Sequence, residues 1–187
     1  LDAEQKFVGR GVSYCATCDG AFFKGKTVAV NGGGNTAVED AKYLSGICGR
    51  VYVIHRRDQF RADEKSVEFL ASKPNVEFVL NSTVTDLIGD EGGKLEAIEV
   101  TDKLSGEKKK LEVSALFVAI GQVPDNKAFD GEVRIDDKGY VEGGEDCLTG
   151  TDGIYVAGDC RTKSVRQLTT AAADGAVAGL AAATYAD

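Results

Sequence analysis

Lys26-Thr27-Val28-Ala29-Val30-Asn31-Gly32-Gly33-Gly34-Asn35-Thr36-Ala37 carries the most structural information in the chain. The β-branched run reads as a buried parallel strand. Three glycines end it, and apolar residues then recur at 37, 38, 41 and 44, a helical period. Strand, glycine turn and helix together match the pattern G-x-G-x-x-A. Gly32 makes the tight turn, Gly34 lets the backbone approach a pyrophosphate, and Ala37 permits close helix–strand contact. The helix start adds free N–H groups and a partial positive charge. A ligand-free glycine turn would carry the same letters. Asn31 reads either as a cap for the loop or as incidental.

Downstream, residues 51–54 read as a second strand, followed by His55-Arg56-Arg57-Asp58-Gln59-Phe60-Arg61. A site for NAD places an acidic residue here, on the ribose 2′-hydroxyl. This chain places three arginines, whose planar forks suit phosphate oxygens. The expected nucleotide is therefore NADPH, the competing reading being a solvated basic turn. His55 is the only histidine. It reads as a strand-end ring stacking near the adenosine, not as a metal ligand or half of a catalytic dyad. Residues 62–70 read as a helix stopped ahead of Pro74, and 76–80 as a third strand. Strands at 84–88, 95–101, 108–113 and 116–120 follow with short turns, Ser105-Gly106 forming a hairpin tip. The expected fold class is α/β: a Rossmann-like unit of βαβαβ plus a β-meander over residues 1–120, then a second unit over 121–187. That second unit is loop-rich to 145, has an apolar strand at 154–157, and ends in an Ala-rich helix at 167–185, read as core packing.

Upstream lies Cys15-Ala16-Thr17-Cys18-Asp19. One backbone turn brings the two sulfurs together as a disulfide, a dithiol or half of a metal site. No metal is expected, because a closed zinc site needs two more ligands and Cys48, Cys147 and Cys160 are single and scattered. Asp19 reads either as a group that moves a proton or as a residue favoured by a helix N-terminus. Five cysteines with one close pair fit a reducing cytoplasm rather than a secreted disulfide framework. The net charge of −8 argues against nucleic acid and anionic membranes as partners. No apolar run approaches the roughly 20 residues that span a bilayer. The polar start lacks a signal peptide, and the absence of Met suggests a fragment or a processed chain.

Together, Cys15-Ala16-Thr17-Cys18-Asp19-Gly20, residues 32–37 and His55-Arg56-Arg57-Asp58-Gln59-Phe60-Arg61-Ala62 resemble the low-molecular-weight, bacterial-type thioredoxin reductases. Residues 149–159, ending in Gly158-Asp159, resemble that family's flavin-binding segment. Arg166-Gln167 and the small-residue helix resemble its closing flavin-contacting helix. The resemblance implies NADPH on Gly32, Gly33, Gly34, Asn35, Thr36 and Ala37, with His55 nearby and Arg56, Arg57 and Arg61 at the 2′-phosphate. It implies FAD beside Asp159, Arg166 and Gln167, with Ile120 and Gly121 among the cofactor contacts near the hinge strands. Cys18 would be the flavin-side sulfur and Cys15 the thiol that attacks thioredoxin, with Asp19 moving a proton. The family's N-terminal FAD segment is missing, so residues 121–187 read as the C-terminal part of a split FAD domain. The expectation is a chain that binds FAD weakly or not at all alone, from an intact enzyme that is a homodimer. Two alternatives remain: an isolated NADPH-binding module, or the reductase of a peroxiredoxin system. Ala16-Thr17 between the cysteines favours the thioredoxin enzyme over the latter.

Overall fold

The computed structural model describes residues 3–186. The chain forms two compact units, the first ending at Gly121 and the second beginning at Gln122.

In the first unit, α1 (Glu4–Phe7), β1 (Val12–Ser13), α2 (Ala16–Asp19) and a 3-10 turn (Gly20–Phe23) lead into β2 (Thr27–Asn31). Next come α3 (Asn35–Ser45), β3 (Arg50–Ile54), α4 (Glu64–Ala71) and β4 (Val76–Val79). The meander is β5 (Ser82–Gly89), β6 (Leu95–Asp102) and β7 (Lys108–Glu112), and β8 (Ala115–Val118) closes the unit. One parallel sheet has the order β1-β8-β2-β3-β4, and β5-β6-β7 form a separate antiparallel sheet.

Side-chain alternation separates two cores. Val28 and Val30 of β2, Val51 and Val53 of β3, and Ala115 and Phe117 of β8 face α3 and α4, joining Ala37, Val38, Ala41, Leu44 and Leu70. Ala29, Tyr52, Ile54 and Leu116 point the other way, onto Val84, Leu87, Ile98, Val100 and Leu111 of the meander. Helices cover one sheet face and the meander the other, which explains why these strands are apolar on both sides. Strand β8 returns after the meander to lie beside β2, with Asn31 opposite Val118. The chain therefore leaves β2 toward one side of the sheet and reaches β8 on the other. The crevice beyond the strand ends at such a reversal is where open α/β sheets bind ligands.

One expectation fails in the second unit. Residues 154–157 make no strand: Tyr155 forms only an isolated bridge to Leu148, with no ladder for the apolar run to join. Helix α5 (Leu168–Ala186) forms as expected, and within this chain Asp174 is its only buried residue. Leu168 and Leu180 are 88% and 73% exposed.

Candidate active site

The glycine loop sits at the end of β2, on the crevice. A Cβ on Gly32 would lie 2.3 Å from the Ala119 carbonyl oxygen and 2.8 Å from the Ala37 Cβ. Glycine is thus needed at 32 to let the end of β8 and the first turn of α3 close on the loop. A Cβ on Gly33 would fall 2.1 Å from His55 Nδ1. Beside Gly34 there is open space. Gly34 is the N-cap of α3 and supplies no side chain to its first turn, where Asn35 and Thr36 are exposed and Ala37 is buried. An open, uncapped N-terminus of an 11-residue helix is a place for an anion.

His55 lies beneath this loop and is 5% exposed. Its Nε2–H donates to the Gln59 carbonyl at 3.1 Å, and its ring stacks on Phe60 with centroids 5.4 Å apart. Burial, joined by the positive charge of Arg57, Arg61 and Arg56, lowers its pKa, so the ring stays neutral further into acid. The ring props Gly33 from below. The Arg61 N–H donates to the Gly33 carbonyl at 2.7 Å, and the Asp63 N–H to Asn35 Oδ1 at 3.1 Å. These two bonds tie the arginine loop to the glycine loop. Arg56, Arg57 and Arg61 are exposed. Among the described residues none of the three pairs with a carboxylate. Three unneutralised guanidiniums on a chain of net charge −8 form a local patch of positive charge.

Cys15 and Cys18 form a disulfide. Cys15 is the N-cap of α2, and its Sγ accepts from the Cys18 N–H at 3.2 Å and lies 3.4 Å from Thr17 Oγ1. Cys15 is half-buried, whereas Thr17 and Cys18 are exposed. The Ser13 hydroxyl donates to Asp19 Oδ2 at 2.7 Å and orients that carboxylate. Sequence reasoning missed Ser13, because a two-residue strand leaves no periodic trace. Gly20 rests on Tyr43 and Leu44 in the last turns of α3. The segment following the disulfide therefore packs at the opposite end of α3 from the glycine loop. Ile120 and Gly121 lie at the end of the first unit, Ile120 being 71% exposed. Of the three remaining cysteines, Cys48 and Cys147 are buried.

In the second unit, Gly158 opens the 3-10 turn Gly158–Cys160 with φ +82°. Asp159 is exposed on this turn. The Arg166 Nε donates to the Asp159 carbonyl at 3.3 Å, and its guanidinium lies 4.0 Å from the Tyr140 ring centroid. Asp159, Cys160, Tyr140 and Arg166 line a cavity of about 450 Å³ with residues 122–126. Gln167 is exposed, and its N–H donates to Thr170 Oγ1. The residue that sequence reasoning missed here is Asp174, a carboxylate 5% exposed behind the turn.

The sheet reversal carries the glycine loop, and the C-x-x-C disulfide lies on the same unit. The chain belongs to the pyridine nucleotide-disulphide oxidoreductase family, whose model matches residues 1–175. It is 45% identical over 181 residues to the thioredoxin reductase of Mycoplasma genitalium, covering 96% of this chain and 57% of that protein. The thioredoxin reductase of Listeria monocytogenes is 41% identical over 182 residues, covering 97% and 57%. The crystal structure of Streptococcus pyogenes thioredoxin reductase superimposes with a TM-score of 0.88 at 36% identity, covering 95% of this chain and 57% of that one. The chain thus spans somewhat more than half the length of these relatives. Among the described residues no helix is long and apolar enough to cross a membrane.

Proposed function

We propose that this chain is the NADPH-binding and disulfide-bearing part of a thioredoxin reductase. The observation that carries the reading is the Cys15–Cys18 disulfide, exposed at Cys18, on the same unit as the glycine and arginine loops. The open helix start at Gly34 fits a pyrophosphate, and Arg56, Arg57 and Arg61 fit the 2′-phosphate that distinguishes NADPH from NADH. The cavity beside Asp159 and Arg166 fits part of a flavin nucleotide, as one piece of an FAD site. When bound, the nicotinamide and flavin supply the two electrons that open the disulfide.

The chain's own residues then carry the exchange. Once the S–S bond opens, the Cys18 N–H and the Thr17 hydroxyl are placed to stabilise negative charge on Cys15. Cys15 thiolate attacks one sulfur of the thioredoxin disulfide, and the other thioredoxin sulfur leaves as a thiolate. Cys18 sulfur then attacks Cys15, which re-forms the internal disulfide and releases reduced thioredoxin. Asp19, held by Ser13, exchanges protons with the departing sulfurs.

The test is NADPH-driven reduction of thioredoxin by the natural full-length protein. Cys15→Ser and Cys18→Ser should each cut turnover by about a thousandfold or more. NADPH affinity should stay within about twofold, since neither sulfur touches the glycine loop. Turnover that survives either substitution would refute the assignment.

A further inference from the structure

Helix α5 is apolar, yet the single residue it buries is a carboxylate. Asp174 Oδ2 accepts the Gly158 N–H at 2.9 Å, Arg161 Nε at 2.8 Å and Lys163 Nζ at 2.8 Å. Its Oδ1 accepts an Arg161 Nη at 2.8 Å. Arg161 is 1% exposed, and its other donors reach the Gly143 and Thr162 carbonyls and Glu145 Oε1. The segment 158–163 therefore wraps around one carboxylate. The same turn is tied on its other side: the Asn126 amide donates to the Cys160 carbonyl at 2.9 Å, and Arg166 donates to the carbonyls of Asp159 and Arg161. One face of the turn is fixed by Asp174, and the other presents Asp159 and Cys160 to the cavity.

We propose that Asp174 is the positioning residue of the flavin end of this protein, its carboxylate holding the Gly158–Cys160 turn in the shape that presents Asp159 to bound FAD. The inference rests on the flavin reading of Asp159 given above. Glycine at 158 adopts the left-handed backbone the turn needs, but its buried N–H then requires an acceptor, and Asp174 is that acceptor. No apolar residue on α5 could fill the role, and an amide would leave Lys163 without its counter-charge and Arg161 with only the exposed Glu145.

The experiment compares Asp174→Asn, the triple variant Arg161→Leu, Lys163→Met, Asp174→Leu, and Asp159→Ala with wild type, in the natural full-length protein. The triple variant removes the facing buried charges together, a change that buried ion pairs often tolerate, so the unit keeps its fold. Three readouts are taken: exchange of the Gly158 amide hydrogen, FAD affinity with the visible flavin spectrum, and NADPH affinity. Both Asp174 variants should speed Gly158 exchange by about tenfold or more and weaken FAD by about tenfold, blurring the flavin bands. NADPH affinity should hold within about twofold, since its loops lie in the other unit. Unchanged Gly158 exchange in the triple variant would overturn the proposal, as would faster exchange with FAD affinity and spectrum intact. Asp159→Ala that leaves FAD affinity unchanged would instead sink the flavin reading, whatever the exchange data show.

Discussion

Gly32 and Gly34 stand two residues apart in one loop, and the structure gives them different work. Alanine at each separates that work. At Gly32 the new methyl would lie 2.3 Å from the Ala119 carbonyl oxygen and 2.8 Å from the Ala37 Cβ. An ordinary carbon contact is about 3.5 Å or more, so the end of β8 or the start of α3 must move by about 1 Å. Both are rigid backbone, and overpacking of this kind costs about 2–3 kcal/mol. For a unit of this size that lowers Tm by about 10 °C. At Gly34 the methyl meets open space, and φ −97°, ψ −178° suits any residue. A weaker N-cap and a stiffer unfolded chain offset each other, leaving stability within about 0.5 kcal/mol. The space the methyl occupies is where the pyrophosphate would approach, so NADPH affinity should fall about tenfold or more. Thermal unfolding followed by circular dichroism and NADPH titration by nucleotide fluorescence read the two effects. Both variants should bind NADPH poorly, and only Gly32→Ala should melt early. Gly34→Ala with wild-type NADPH affinity would refute the cradle. Gly32→Ala with wild-type Tm would refute the close packing of β8 on the loop.

Arg56→Ala combined with Arg57→Ala should weaken NADPH by about thirtyfold and NADH by less than about threefold, since the removed forks address only the 2′-phosphate. Equal losses for the two nucleotides would defeat that assignment. Burial pushes the Asp40 carboxyl of α3 up to about 6 from 3.8. The native state then keeps a proton that the unfolded chain has lost, so stability falls as pH rises from about 4 to 6 and is flat above. The full shift caps the effect near 3 kcal/mol, and the solvent access of a half-buried side chain brings it to about 1 kcal/mol. Asp40→Asn should abolish the slope and be more stable by about that amount at pH 7.5. Urea unfolding at four pH values between 4 and 7.5 measures it, and parallel curves for the two proteins would disprove the burial cost.

The alternation that sorts Val28, Ala29 and Val30 onto opposite sheet faces is local, and so is the 3.6 period of α3. For that reason the βαβ core was legible in the letters alone. Strand β8 was legible as a strand, but not as the neighbour of β2, because pairing Asn31 with Val118 leaves no local mark. It also stops at Val118, short of the expected end at 120, leaving Ile120 exposed. His55 shows a subtler limit. Its place after β3 was readable, but the inward turn of its ring, against Gly33 and Phe60, depends on a glycine more than twenty residues earlier. The run at 154–157 misled because an apolar segment of four residues carries no information about whether a partner strand exists.

Helix α5 is the strongest case of the same limit. An Ala-rich run without Pro predicts a helix, and hydrophobicity predicts that its apolar residues go inside. Within this chain, which spans somewhat more than half the length of its relatives, Leu180 is 73% exposed and Asp174 is 5% exposed. One carboxylate facing two cations and a buried N–H fixes how the helix meets the segment 158–163. The signal was present, as a lone Asp in an apolar helix with Arg161 and Lys163 shortly before it, but it is a pattern of charge rather than of period. Two carboxylates of this chain make the distinction physical. Asp40 is half-buried, desolvation raises its pKa, and its charge costs stability as pH increases. Hydrogen bonds from Arg161 and then Lys163 hold Asp174 well below the usual carboxylate range, against the desolvation that opposes them. Its contribution is present above the ordinary carboxylate pKa and is lost only as pH falls far below it. Burial alone therefore does not decide what a carboxylate does to a fold. The donors that meet it decide, and for Asp174 those donors belong to the turn that carries Asp159.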